Sequence, residues 1–232
     1  MSLLVPPRRP TRELLDDQNL PFEEMVRSLG DIDRVNRQWG ASRALERYLS
    51  SRIRDSAGGD LLLVDVGAGS GAFTRRLEYA LSRDASRVRA IALDLQWRHL
   101  RAGGNGFPAV AGDAFRLPLA DAAADWVVST LLFHHFSPEQ NVRLLREFAR
   151  VARRGFAVLD LRRHLFPLIF VSIAGPLLFE SRTSIADGPA SVRQAYTLKE
   201  AERIAREARP GTKVERVFPF RLIITGPGAV AS

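Results

Sequence analysis

Four consecutive apolar residues, Leu61 to Val64, without polar alternation, predict a strand covered on both faces by helices. The run continues through Asp65 and Val66 into Gly67, Ala68, Gly69, Ser70 and Gly71, so the strand turns abruptly into a helix. From Ala72 to Ser82, Phe73, Leu77, Ala80 and Leu81 share one helical face, with Arg75, Arg76 and Glu78 off it. Val88 to Leu93, apolar except for Arg89, predicts a second strand ending in Asp94. Pro108 to Ala111 leads into Gly112, Asp113 and Ala114 as a third, and Trp126 to Val128, between Asp125 and Ser129, is a fourth. Ser137, Pro138 and Gln140 combine an N-cap, a first-turn proline and a capping box. The helix they open turns Val142, Leu145, Phe148, Ala149 and Ala152 inward and ends near Gly155, before a fifth strand over Phe156 to Leu161.

Outside this alternation the pattern changes. Residues 1–10, with Pro6, Pro7 and Pro10, read as an irregular arm, and Thr11 to Ser51 reads as helical in pieces broken at Gly40. Residues 1–55 are therefore taken as an N-terminal extension and 56–232 as the main domain, with an insertion at 162–196. The insertion holds the most apolar stretch, Leu165 to Phe179. It falls short of the roughly 20 residues a membrane-spanning helix needs and contains Pro167, Gly175 and Pro176. A lid, a pocket wall or a surface pressed against lipid is expected, with Phe166, Ile169, Phe170, Leu177, Leu178 and Phe179 buried against the N-terminal helices, a lipophilic ligand or a membrane. Glu180 to Ala195 reads as polar and turn-rich. Thr197 to Glu200 is a second capping box opening a helix through Ala208, and Lys213 to Phe218 and Arg221 to Thr225 read as closing strands.

Strands alternating with helices predict an α/β fold with a doubly wound, parallel sheet, whose ligand binds at the carboxyl ends of the strands. Asp65 and Asp94 stand at such ends, and the glycine loop brings main chain and a helix N-terminus close to an anionic group. The loop also fits the dinucleotide pattern G-x-G-x-x-A through Gly67, Gly69 and Ala72. A short-chain dehydrogenase would add tyrosine and lysine at Y-x-x-x-K spacing, whereas Tyr196 and Lys199 are three apart and lie beyond the core motifs.

Composition narrows the classes further. The 232 residues suit one α/β domain with additions. The net charge of +8 is almost entirely arginine and is spread along the chain, so it reads as a solvated basic surface; no DNA partner is expected, and RNA is favoured by charge alone. Absence of cysteine removes disulfides and thiolate chemistry. No two of His99, His134, His135 and His164 have i, i+4 spacing, so no metal site is expected. Leu3 to Val5 is too short for a signal-peptide core, and a cytoplasmic location is expected.

The ordered set Asp65 to Gly71, Asp94, Gly112 to Ala114 with Leu117 and Pro118, Asp125 to Val128, and Leu132 to Phe136 resembles the motifs of class I S-adenosylmethionine-dependent methyltransferases, in the branch of quinone-biosynthesis and small-molecule enzymes. The resemblance implies a Rossmann-like, mostly parallel seven-stranded sheet with one antiparallel strand near its end. It places the methionine part of S-adenosyl-L-methionine over Asp65, Gly67, Ala68 and Gly69, the ribose hydroxyls on Asp94 beside Leu95, the adenine amino group on Asp113 with the Ala114 backbone nearby, and Ser129 beneath the methyl group. His134 and His135 become candidates for a general base or for positioning the acceptor. The implied acceptor is small and hydrophobic, with peripheral membrane contact as a further expectation from the apolar run.

Overall fold

The computed structural model describes residues 4–54, 60–83, 87–104 and 106–229. The expected boundary between residues 55 and 56, and the first three residues of the expected arm, lie outside them.

Among the described residues seven strands form one sheet: β1 (Asp60–Val66), β2 (Arg87–Asp94), β3 (Ala109–Ala111), β4 (Ala124–Thr130), β5 (Ala152–Leu161), β6 (Lys213–Val217) and β7 (Arg221–Pro227), in the order β3-β2-β1-β4-β5-β7-β6. The first five run parallel, and β7 is antiparallel to both β5 and β6. Because β2 lies on one side of β1 and β4 on the other, the chain reverses direction of winding at β1, and the crevice at its carboxyl end is a topological switch point.

Among the described residues eight α-helices flank the sheet: α1 (Phe22–Gln38), α2 (Ala41–Arg54), α3 (Ala72–Leu81), α4 (Trp97–Ala102), α5 (Pro138–Val151), α6 (Leu165–Leu178), α7 (Arg182–Gln194) and α8 (Leu198–Ala208). One apolar core joins Val64, Val66, Val127 and Phe156 to Leu145 and Phe148 of α5 and Ile204 of α8. A second joins Leu63, Val128 and Leu159 to Leu45 and Leu49 of α2 and Leu77 of α3. Burial on both faces explains the unbroken apolar runs of β1 and β4. Gly40, at φ 69°, separates α1 from α2 as expected. Both capping boxes form, with Ser137 and Thr197 accepting from the Gln140 and Glu200 amides.

Two sequence expectations need correction. Helix α5 ends at Val151 and β5 begins at Ala152, ahead of Gly155, because parallel pairing with β4 starts there. Residues 182–194, expected to be turns, form α7 in spite of Gly188 and Pro189. Tertiary contacts override the local signal: Asp31 of α1 accepts from the Glu180 and Ser181 amides, Glu24 accepts from the Thr183 amide, and a Cβ at Gly188 would lie 2.9 Å from Val171 of α6. The apolar run 165–178 forms α6; in the isolated chain Phe166, Ile169, Phe170 and Leu177 are exposed, and only Leu168 and Gly175 of this helix are buried. The packing surface offered by α7 and by Trp39, whose ring lies 5.1 Å from Phe170, covers one side of α6 and no more. No described helix is long and apolar enough to cross a membrane.

Candidate active site

A cleft of about 1110 Å³ opens at the carboxyl ends of β1, β2 and β4. Its floor is the glycine loop. Gly67, Gly69 and Gly71 take left-handed φ values of 73°, 57° and 68°, and the Gly67 and Ala68 amides donate to the Leu93 carbonyl at 2.8 and 3.0 Å. A Cβ on Gly67 would lie 2.9 Å from Leu132, so a side chain there would fill the cradle. Helix α3 starts from Gly71 without a side-chain cap, leaving its first amides directed at the cleft.

Three carboxylates organise this half. Asp65 is fully buried under the loop; its Oδ2 accepts from Thr74 Oγ1 at 2.6 Å, while its Oδ1 has no hydrogen-bond partner. Burial, aided by the Asp94 charge, pushes its carboxyl up to about 7. Asp94 accepts from the Gly69 and Gln96 amides, each at 2.9 Å, and His99 Nδ1 lies 3.4 Å away. Asp113 is exposed on the rim, with one oxygen accepting from the Phe115 amide at 2.9 Å. Leu95 and Ala114 also line the cleft. Ser129 departs from expectation: it is buried, its hydroxyl donates to the Val66 carbonyl at 2.7 Å, and it lies outside the lining. Thr130, Leu131 and Leu132 form the wall there instead, with Leu131 held at φ 56°. Asp125, by contrast, lies at the opposite end of β4, away from the cleft, and ties Arg154 at 2.9 Å to the Leu62 amide, also at 2.9 Å.

The donor set fits S-adenosylmethionine. An orphaned carboxylate oxygen beneath an uncapped helix start suits the charged amino-acid end, and Asp94 and Asp113 each retain acceptor capacity for hydroxyl or amino donors.

The opposite wall comes from distant parts of the chain. The strained Leu131 turns the chain into a short 3-10 turn, Phe133–His135, which carries both histidines. His134 is buried between two carboxylates: Nδ1 lies 2.7 Å from Asp160 and Nε2 3.3 Å from Glu13. Burial opposes its charge, but Asp160 and Glu13 outweigh burial and push its pKa up to about 10. Glu13 responds in the opposite sense. Burial raises its carboxyl, and the His134 hydrogen bond with the two imidazole charges outweighs this, holding it down at about 2. Glu13 also accepts from Ser191 Oγ at 2.6 Å and Gln194 Nε2 at 2.5 Å. His135 is more accessible, with Nδ1 3.2 Å from Asp16 and Nε2 3.7 Å from Glu13. Asp187 of α7 accepts from the Leu14 and Leu15 amides at 2.9 Å each, fixing the turn that presents Glu13 and Asp16.

Glu13, His134 and His135 thus bring three ligand-type atoms within 4.8 Å, a grouping the i, i+4 criterion overlooks because it joins adjacent histidines to a remote glutamate. Glu13 already accepts from Ser191 and Gln194, and His134 bridges it to Asp160, so the three groups belong to a wider hydrogen-bonded network.

Glu13, Asp16, Asp160 and Ser191 were not singled out from the sequence. Asp160 carries the same signal as Asp65 and Asp94, an acid at a strand's carboxyl end. Glu13, at the start of the stretch read as helical in pieces, carries none.

The Rossmann-like fold, the glycine floor and the placement of the acids are those of S-adenosylmethionine-dependent methyl transfer. Residues 64–159 match the methyltransferase domain family. No curated protein matches the sequence. Among solved structures, the chain is similar to the plantazolicin methyltransferase BamL, in complex with a triazolic desmethylPZN analog and SAH, with a TM-score of 0.61 and 16% identity over 84% of this chain and 72% of that one. It is also similar to magnesium protoporphyrin IX methyltransferase from Synechocystis PCC 6803 with bound SAH, with a TM-score of 0.58 and 16% identity over 92% and 90% of the two chains. A complex of the Haloferax volcanii Trm112 methyltransferase activator supplies a third, with a TM-score of 0.57 and 15% identity over 94% and 99%. At these identities the likeness shows the fold.

Proposed function

We propose that the protein methylates a small hydrophobic acceptor, aromatic, polyketide-like, isoprenoid or quinone-like, in the cytoplasm. The observation that supports this reading is the cleft itself. Its volume of about 1110 Å³ exceeds the usual ~300–1,000 Å³ of a single-ligand pocket, leaving room for an acceptor beside the cofactor. Beyond the glycine floor its walls are largely apolar, with Leu29, Ile32, Phe115, Leu132, Phe136 and Leu161. An open cavity also argues against a non-catalytic relative whose acceptor space is filled by side chains.

When bound, S-adenosylmethionine supplies an electrophilic methyl group, so positioning does most of the work. In this reading Asp65 and the glycine loop orient the amino-acid end, Asp94 the ribose, and Asp113 the adenine. His135 takes the proton of an acceptor hydroxyl, because it is the more accessible histidine. His134, with both nitrogens on carboxylates and its proton retained, instead orients Glu13 against His135.

Methyl transfer from labelled cofactor to a lipid extract and to total RNA, across a salt series, tests the reading. Incorporation into the lipid fraction, insensitive to salt, is expected; incorporation confined to RNA and falling steeply with salt would contradict it.

A further inference from the structure

Helix α6 has no charged residue over its 14 positions, about 21 Å of length. Its buried side meets α7, and the opposite side carries Phe166, Ile169, Ile173, Pro176 and Leu177, a stripe at helical spacing. Exposure reaches 62% at Phe166, 73% at Ile173 and 90% at Leu177. The stripe continues beyond the helix. Phe166 stacks on Phe220 with ring centroids 5.5 Å apart, and Phe218, in the same turn between β6 and β7, is 90% exposed. A contiguous apolar surface of this kind is uncommon on a protein that meets only water.

Positive charge collects at one end of the stripe. The Arg162 guanidinium lies over the Phe220 ring at 5.1 Å, and neither Arg162 nor Arg216 forms an ion pair among the described residues. Burial and the neighbouring Arg216 charge hold Arg162 below the usual guanidinium range. At the other end Glu180 is already paired with Arg34 at 2.6 Å. The surface therefore presents apolar side chains bordered by unsatisfied cations, the combination that suits a bilayer interface with anionic head groups. A second copy of the chain would cover the apolar stripe, but its matching end offers a glutamate that is already neutralised.

We propose that α6, with the Phe218–Phe220 turn, docks the protein on an anionic membrane surface, the apolar side chains entering the acyl boundary and Arg162 and Arg216 meeting lipid phosphates. This inference does not depend on the identity of the methyl acceptor.

Flotation of the full chain with phosphatidylcholine vesicles, with and without phosphatidylglycerol, tests it. The protein is expected to float with the anionic vesicles. The exposed double substitution Ile173→Glu with Leu177→Glu should reduce binding at least about tenfold while leaving S-adenosylhomocysteine affinity and thermal unfolding at wild-type values. Arg216→Gln should weaken binding about fivefold and remove the preference for anionic lipid. The proposal is overturned if the wild type ignores vesicles, if the double variant floats as well as wild type, or if sedimentation shows a dimer that the same substitutions split while vesicles bind neither form.

Discussion

Asp65 carries the most specific residue-scale consequence. Its carboxyl, raised to about 7 by burial, is protonated below neutrality in the folded, ligand-free protein, whereas in the unfolded chain it ionises near 3.8. A raised acid contributes stability that is lost as pH rises from the unfolded value through 7. Binding of a ligand ammonium needs the ionised form, so S-adenosylhomocysteine affinity should rise with pH, approaching tenfold per unit well below 7, and level off above it. Calorimetry across pH 5.5 to 8.5, a range of about 3 units, reads this directly. Asp65→Asn should bind weakly with a flat profile, and a flat wild-type profile would remove Asp65 from the amino-acid subsite. For His135→Asn, turnover should fall by a factor of about 10² to 10⁴ with cofactor affinity unchanged; unchanged turnover would exclude a base role. Asp65 and Asp94 were legible because an acid at the end of an apolar run is a local pattern. The Glu13–His134–Asp160 network was not, because its members are 121 and 26 residues apart and nothing local marks their meeting.

Among the elements, the alternation of apolar runs and capped helices made the five parallel strands and α3, α5 and α8 readable, since each carries its own period or cap. Helix α7 was hidden because Gly188 and Pro189 speak for a turn, and the forces that form it come from α1 and α6. Asp31 is buried and accepts from the Glu180 and Ser181 amides while pairing with Arg34. Asp31→Ala leaves these donors unserved and should cost about 1–3 kcal/mol, measured by urea unfolding, with loosening of α7 visible as faster amide exchange over 182–194. Protection equal to wild type would show that α7 holds without α1.

In the whole molecule, the N-terminal segment lines the cleft and is tied to its wall by a charge network whose contribution to stability should vary with pH. His134 is raised from 6.5 to about 10, so its contribution is complete below 6.5 and is lost as pH rises through 10. Glu13 is lowered from 4.5 to about 2, so its contribution is present above 4.5 and is lost as pH falls through 2. Unfolding free energy should therefore decline between pH 7 and 10, and Glu13→Gln should flatten that decline. Equal slopes in both proteins would detach the histidine from the arm.

The central claim, that the glycine floor and its acids hold S-adenosylmethionine, is tested most directly by calorimetric titration of S-adenosylhomocysteine into wild type and Gly69→Val. Gly69 sits at φ 57° with Leu29 3.1 Å from where its Cβ would be, so a branched side chain strains the loop and fills the subsite. The account predicts saturable binding to wild type, stabilising it by about 2.7 kcal/mol at ~100 times the dissociation constant, and no binding to a folded Gly69→Val. Folded wild type that binds no S-adenosylhomocysteine, or a Gly69→Val variant that binds it equally well, would contradict it.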